Sequence, residues 1–225
     1  MGTSSVLLKR RAIYPLLMVI FLASLISCAK HKTYWLYLRP LSEAKQGPTT
    51  KLTIGVVPFE DTRVSTEKLG VRILRDGREE PIRLKSSSAS EDLTNMLRRS
   101  LEARNIQVVT ISDWHPAPQN LEDLPPEVDM AIAGKIEALE EEARSSVLES
   151  KIRCRVKLSA KFGLKAQRRV VTETVEVNPE KTLVFFNRQK LEETLNEAVT
   201  SAINRLVEAA LASSSRGLRQ SAPLS

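Results

Sequence analysis

Residues 151–164 alternate between apolar and mostly basic side chains, and this pattern constrains the fold more than any other in the chain. Because successive side chains of a strand point to opposite faces of a sheet, the alternation predicts a long strand with one buried and one exposed face. The apolar residues are Ile152, Cys154, Val156, Leu158, Ala160, Phe162 and Leu164. The basic residues between them are Lys151, Arg153, Arg155, Lys157 and Lys161. Cys154 lies on the apolar face and is therefore predicted to be a small core residue.

Shorter patterns along the chain predict the other elements. The further predicted strands are 51–59, 107–111, 130–139 and 170–177. A short, polar hairpin around Asp76-Gly77 is expected at the surface. One helix begins at the capping box of Ser88 and Glu91 and ends near Asn105, and a second begins after Asn187. This order predicts an α+β fold with a mixed, largely antiparallel sheet and two main helices packed on one face.

Two polar segments are expected to lie outside the regular elements. Residues 112–128 contain four prolines and predict a surface loop, with Trp114 covering an edge of the core. Glu140, Glu141 and Glu142 predict a solvated charge run at a turn or strand end. A metal site is not expected there, because consecutive carboxylates do not converge on one ion.

The N-terminal residues 1–27 have the pattern of an export signal. Three basic residues at 9–11 precede an apolar run over 12–26, which is short for a transmembrane helix. The run ends in Leu25-Ile-Ser-Cys28, which resembles the lipobox of bacterial lipoproteins. That resemblance implies cleavage before Cys28 and lipidation of this cysteine, with a diacylglyceryl group on its thiol and palmitate as a further acyl group. The alternative is an uncleaved signal anchor with an incidental cysteine.

The expected organisation of the chain is therefore a signal peptide, a lipidated tether over 28–50, one domain over 51–212 and a disordered tail over 213–225. About twenty residues between Cys28 and the first predicted strand would reach about 70 Å at most. Within the tether, Tyr34, Trp35 and Tyr37 are candidates for contact with the membrane or a partner. The alternative is an arm that packs on the domain.

Composition excludes several functional classes. The net charge is +7, of which the signal peptide carries three charges, so the mature chain is only mildly basic and nucleic-acid binding is not expected. With 2 His and 2 Cys, a multi-ligand zinc or iron–sulfur site is excluded. No hydrolase, phosphate-loop or dinucleotide motif is present. We therefore expect no catalytic residues, no cofactor and no metal.

Two segments carry a resemblance to a known family. Lys51–Arg63 (KLTIGVVPFEDTR) and Val128–Glu137 (VDMAIAGKIE) resemble strands of the YajG-type and ABC-transport auxiliary lipoproteins of bacteria. The first segment also resembles the opening of TolB-like and LpoB-like envelope domains. The resemblance implies a periplasm-facing, membrane-tethered accessory protein without catalytic residues.

The expected function follows from this resemblance. It is a non-catalytic binding or assembly module of the envelope, associated with a lipid-transport ABC system. The alternative is an LpoB-like regulator of a peptidoglycan synthase, and an enzyme is the third hypothesis. The expected partners are the bilayer, through the acyl chains, and an envelope protein near the membrane, with Arg153, Arg155 and Lys157 as further candidate contacts. By resemblance to enterobacterial sorting, Ala29 and Lys30 favour the inner leaflet of the outer membrane over the inner membrane.

Overall fold

The centre of the structure is a long antiparallel hairpin. This computed structural model describes residues 32–39, 52–86, 88–112 and 114–220, with side chains as far as residue 215. The described strands are β1 (Tyr34–Leu36), β2 (Thr53–Asp61), β3 (Gly70–Ile73), β4 (Glu79–Leu84), β5 (Gln107–Thr110), β6 (Met130–Ser145), β7 (Ser150–Leu164), β8 (Arg169–Val177) and β9 (Glu180–Leu183). The described helices are α1 (Ala89–Glu102) and α2 (Arg188–Gln220).

Each strand of the hairpin is long enough to pair with two short strands along its outer edge. β6 pairs with β7 along its whole length, and its other edge is shared by β2 and then β3, both parallel to it. β7 likewise pairs with β9 near its start and with β8 towards its end, both antiparallel. β5 extends the sheet beyond β2, and β4 and β1 extend it beyond β3. The sheet is therefore mixed, and its longest pairings are antiparallel.

Both helices pack on one face of this sheet, which we call the inner face. Helix α1 begins at Ser88, whose side-chain oxygen accepts a hydrogen bond from the backbone of Glu91, as the capping box predicts. One stripe of α1 is buried, and its apolar members are Ala89, Leu93, Met96, Leu97 and Leu101. Helix α2 contributes Leu and Ala residues to the same core as the apolar side chains of β7. The predicted α+β fold class is confirmed.

The opposite face, which we call the outer face, is partly covered by the proline-rich loop. Trp114 is buried there with Leu121, Leu124 and Val128, and its indole N–H donates to the carbonyl of Asn120 at 3.0 Å. A side chain at Gly163 would come within 2.5 Å of the Trp114 ring, so this position of β7 has room only for glycine. The prediction that Trp114 covers the core is confirmed.

Several predicted boundaries are wrong. Residues 34–36, assigned to the tether, form β1 and pair in parallel with β4. Helix α2 continues to Gln220, so residues 213–220 of the predicted disordered tail are helical, and 221–225 lie outside the described residues. The β3–β4 hairpin is part of the sheet rather than a surface hairpin, because β6 and β1 pair with its two outer edges. Within the described residues, no helix combines the length and apolar character that crossing a bilayer requires.

The two faces of β7 predict opposite responses to substitution. Phe162 is fully buried on the inner face, so Phe162→Ala is expected to lower the free energy of unfolding by about 3–5 kcal/mol. Lys161 is its exposed neighbour, and Lys161→Ala is expected to change it by less than about 0.5 kcal/mol. Chemical denaturation of both variants measures the difference, and equal effects would contradict the assignment of faces.

Candidate functional site

Three of the basic residues predicted on one face of β7, Arg153, Arg155 and Lys157, form ion pairs; the two arginines are exposed and Lys157 is half-buried. Arg153 contacts Glu180 at 2.7 Å, and Lys157 contacts Glu137 at 2.7 Å. Arg155 contacts two carboxylates, Glu176 at 2.9 Å and Glu140 at 3.7 Å. The acidic partners lie on β6, β8 and β9, the strands that flank β7. We call these three basic residues and their acidic partners the charge ladder.

The charge ladder is electrostatically balanced rather than basic. The hydrogen bond from Arg155 lowers the pKa of Glu176, and the one from Lys157 lowers the pKa of Glu137. Both acids therefore stay ionised at neutral pH, and each offsets a neighbouring positive charge. A partner that recognised a uniformly positive patch would find alternating charges here.

The three aromatic candidates near the N-terminus have different environments. Tyr34 is buried, contacts the ring of Phe186 edge-on at 5.2 Å, and donates its hydroxyl hydrogen bond to Glu80 at 2.9 Å. Trp35 and Tyr37 are exposed. The packed-arm alternative therefore holds for Tyr34, and only the other two side chains are placed to contact a membrane or a partner. Cys28 lies outside the described residues.

Helix α2 holds the segment after β1 in place. The side-chain amide of Asn196 donates to the carbonyl of Tyr37 at 2.9 Å, and its oxygen accepts from the backbone N–H of Arg39 at 2.7 Å. Because Asn196 is itself buried, these two bonds resist exchange with water. The aromatic segment is thus fixed to the domain at both β4 and α2.

A buried carboxyl group that the sequence analysis missed lies near this segment. Glu141 is in the middle of β6 and only 2 % exposed, and neither of its carboxyl oxygens has a hydrogen-bond partner. The expectation of a solvated charge run at 140–142 is therefore wrong for its central residue. Cross-strand pairing places one row on the inner face: Tyr34, Ile82, Gly70, Glu141 and Cys154.

The surroundings of Glu141 favour its protonated form. Burial raises the pKa of its carboxyl group well above the ordinary value of 4.5, and the nearby Glu192 carboxylate adds to the rise. Burial, reinforced by Glu141, also raises the pKa of the Cys154 thiol far above its usual range. A protonated, buried thiol is a poor nucleophile, so Cys154 is the core residue that the alternation predicts.

The fit of β3 against β6 is tight beside Glu141. A side chain at Gly70 would lie 1.8 Å from the backbone oxygen of Glu141, so glycine is needed for the two strands to pair. The position of Glu141 had a detectable signal, because Leu139, Glu141 and Ala143 continue an inward-facing alternation. A run of three glutamates obscures that signal, since it is more typical of solvent.

Two surface grooves flank the charge ladder. One has a volume of about 580 Å³ and is bordered by Glu140, Arg153, Arg155 and Asn178. The other has a volume of about 390 Å³ and lies between the Trp114 loop and Lys135 of β6. Among the residues that the structure describes, no group of three or more His, Cys, Asp or Glu side chains is placed to hold a metal ion.

Comparison with known proteins identifies the fold only. Protein XCC0632 from Xanthomonas campestris, of family DUF330, is 16% identical, with 84% of this chain and 99% of that chain covered at a TM-score of 0.54. An uncharacterised protein is 9% identical over 80% of this chain and 99% of that one, at a TM-score of 0.48. Lipoprotein GNA1162 from Neisseria meningitidis is 11% identical over 70% and 99%, at a TM-score of 0.35. No family model matches the sequence, and no curated protein matches it.

Glu141 predicts an unusual pH dependence of stability. The folded state holds a proton that the unfolded state releases near the ordinary carboxyl pKa, so this residue costs stability increasingly as pH rises above that value. Glu141→Gln keeps the shape of the side chain and removes its titratable carboxyl group. The free energy of unfolding of this variant is expected to match that of the wild type at about pH 4 and to exceed it at about pH 8.

Chemical denaturation at both pH values measures this effect. Glu140→Gln is the matched control, because Glu140 is the exposed neighbour on the same strand. A Glu141→Gln variant that differed from the wild type by the same amount at both pH values would contradict the prediction.

The charge ladder predicts a weak effect on stability. Arg155 is exposed and its ion pairs are solvated, so Arg155→Ala is expected to melt close to the wild-type temperature. Thermal melts at low and high salt measure this, and any small difference should shrink as salt screens the pairs. A large loss of stability that persists in high salt would show that the ladder holds the sheet together.

Proposed function

We propose that this chain is a non-catalytic lipoprotein of the bacterial envelope, anchored through Cys28, that acts as an accessory binding or assembly module. The observation that carries the proposal is the sequence Leu25-Ile-Ser-Cys28, which ends a basic and then apolar segment. Only residues 29–33 separate Cys28 from β1. A binding role is also favoured because the Cys154 thiol and the Glu141 carboxyl group, which would otherwise be candidates for catalysis, are both buried in the core.

The position of β1 brings the domain close to its proposed anchor. The sequence alone places the first strand near residue 51, with a reach of about 70 Å at most. With β1 beginning at Tyr34, the chain from Cys28 would reach about 20 Å at most. A module on so short a tether would meet partners at the membrane surface.

The short tether also bears on which partner is served. An LpoB-like regulator reaches across the periplasm on a long tether, so the short reach favours an accessory of a membrane complex, such as a lipid-transport ABC system. The two segments that resemble the ABC-transport auxiliary lipoproteins are neighbours in the fold, since β2 pairs in parallel with the start of β6. Ala29 and Lys30 favour the outer membrane's inner leaflet as the location.

Replacing the proposed lipidation site tests the anchor. Cys28→Ala is expected to abolish membrane retention and to leave a longer, unprocessed chain, because no thiol remains to take the lipid. Fractionation without detergent and mass spectrometry of the N-terminus measure both effects. Cys154→Ala is the matched control, because it removes a buried thiol and should leave processing and retention unchanged. If Cys28→Ala were processed and localised like the wild type, the proposed anchor would be wrong.

The proposed partner class has its own test. Crosslinking of the wild-type lipoprotein in cells, followed by purification, is expected to recover components of a membrane transporter. Recovery of a peptidoglycan synthase instead would support the regulator and contradict the transporter accessory.

A further inference from the structure

We propose that one end of the sheet docks onto the bilayer that holds the lipid anchor, an inference that rests on the proposed function. We call this surface the apolar end, and its residues are Val147, Leu148, Val184 and Phe185. These side chains are 67%, 81%, 70% and 81% exposed. They belong to two separate connections, the β6–β7 turn and the β9–α2 loop.

The register of β7 and β9 places these two connections side by side. Ser150 pairs with Leu183 in antiparallel fashion, so the residues before Ser150 and those after Leu183 leave the sheet in the same direction. Leu148 and Phe185 are each two residues beyond that pair. The β6–β7 turn is closed by a hydrogen bond from the Ser146 N–H to the Glu149 carbonyl at 2.8 Å, which presents Val147 and Leu148 at its tip.

The N-terminal end of β1 points towards this same end. β1 runs parallel to β4, which is antiparallel to β3, and β3 is parallel to β6. β1 is therefore antiparallel to β6, and its N-terminal end points towards Ser145 and the β6–β7 turn. β1 therefore begins on the side of the apolar end, and the extended chain between Cys28 and Tyr34 is at most about 20 Å long.

The apolar end is not a gap in the core. Beneath it, the Arg72 guanidinium donates hydrogen bonds to the Tyr34 hydroxyl at 2.6 Å, to Glu80 at 3.0 Å and to Ser145 at 3.3 Å. This polar network closes the core at that end, so the four exposed side chains are not needed to complete it. Their burial requires a second surface.

A bilayer fits this end better than other occupants. Apolar side chains on protruding turns enter the headgroup region when a tether already holds the protein there. Charged side chains stand around the same end: Arg75 in the β3–β4 turn, and the ion pairs of Arg144 with Glu142 at 2.8 Å and of Lys151 with Glu149 at 3.4 Å. Arg75 supplies a positive charge that suits the phosphates of lipid headgroups.

Tryptophan fluorescence in vesicles tests the docking. The full mature lipoprotein carrying Phe185→Trp or Leu148→Trp is reconstituted in phosphatidylethanolamine–phosphatidylglycerol vesicles with brominated acyl chains, and the emission of the unsubstituted chain is subtracted. The added tryptophan is expected to lose most of its emission to the bromine atoms. Val64→Trp is the matched control, because Val64 is fully exposed in the β2–β3 loop, which joins the sheet beside residues 136–141 of β6. Its emission should persist.

Flotation of the same samples separates failure of the docking from failure of the anchor. Protein that floats with the vesicles but shows equal emission from Phe185→Trp and Val64→Trp overturns the docking and leaves the anchor standing. Wild-type protein that does not float overturns the proposed function and the docking with it. A blue-shifted Phe185→Trp emission without bromine quenching, together with crosslinked dimers, shows that a second copy covers the end and also overturns the proposal.

Discussion

The ladder between β6 and β7 is the interaction on which the rest of this structure depends. It runs from the pair of Met130 with Leu164 to the pair of Ser145 with Ser150. β2 and β3 pair with its β6 edge, and β8 and β9 pair with its β7 edge. Because the hairpin strands have 16 and 15 residues and their outer neighbours only 9 or 4, two shorter strands share each edge. Both helices then cover the inner face of that one surface. A change that shortened the hairpin would remove the docking edge of β3 or β9 together with the apolar end.

Strands with a strong two-faced pattern were predictable, and those that depend on their neighbours were not. β7 has its own alternation, and its inner residues are buried as predicted. β1 has only three residues, and its strand conformation is set by the free edge of β4 and by Asn196 of α2, neither of which is visible in the local sequence. β6 continues through three glutamates because β7 continues opposite them, so pairing prevails over the solvent preference of the residues.

The same distinction applies to the candidate site. Exposure of Arg153 and Arg155 follows from alternation alone and is observed, whereas Lys157 is half-buried. Their ion pairs depend on which strands lie beside β7 and in which register, and so could not be predicted. Burial of Glu141 likewise depends on register, since it is fixed by pairing with Gly70 on one side and Cys154 on the other. Both surprises concern charges whose environment is set by distant segments.

Docking through the apolar end would fix which surface remains open to a partner. The strands would rise away from the bilayer, because the apolar end lies at one end of the β6–β7 hairpin. The inner face is covered by α1 and α2 along its length. The Trp114 loop covers the outer face beside β2, β5, the start of β6, the end of β7 and the start of β8. The rest of the outer face carries the charge ladder and the larger groove. In that orientation this surface stands upright beside the membrane, where an envelope protein embedded in the bilayer could meet it from the side.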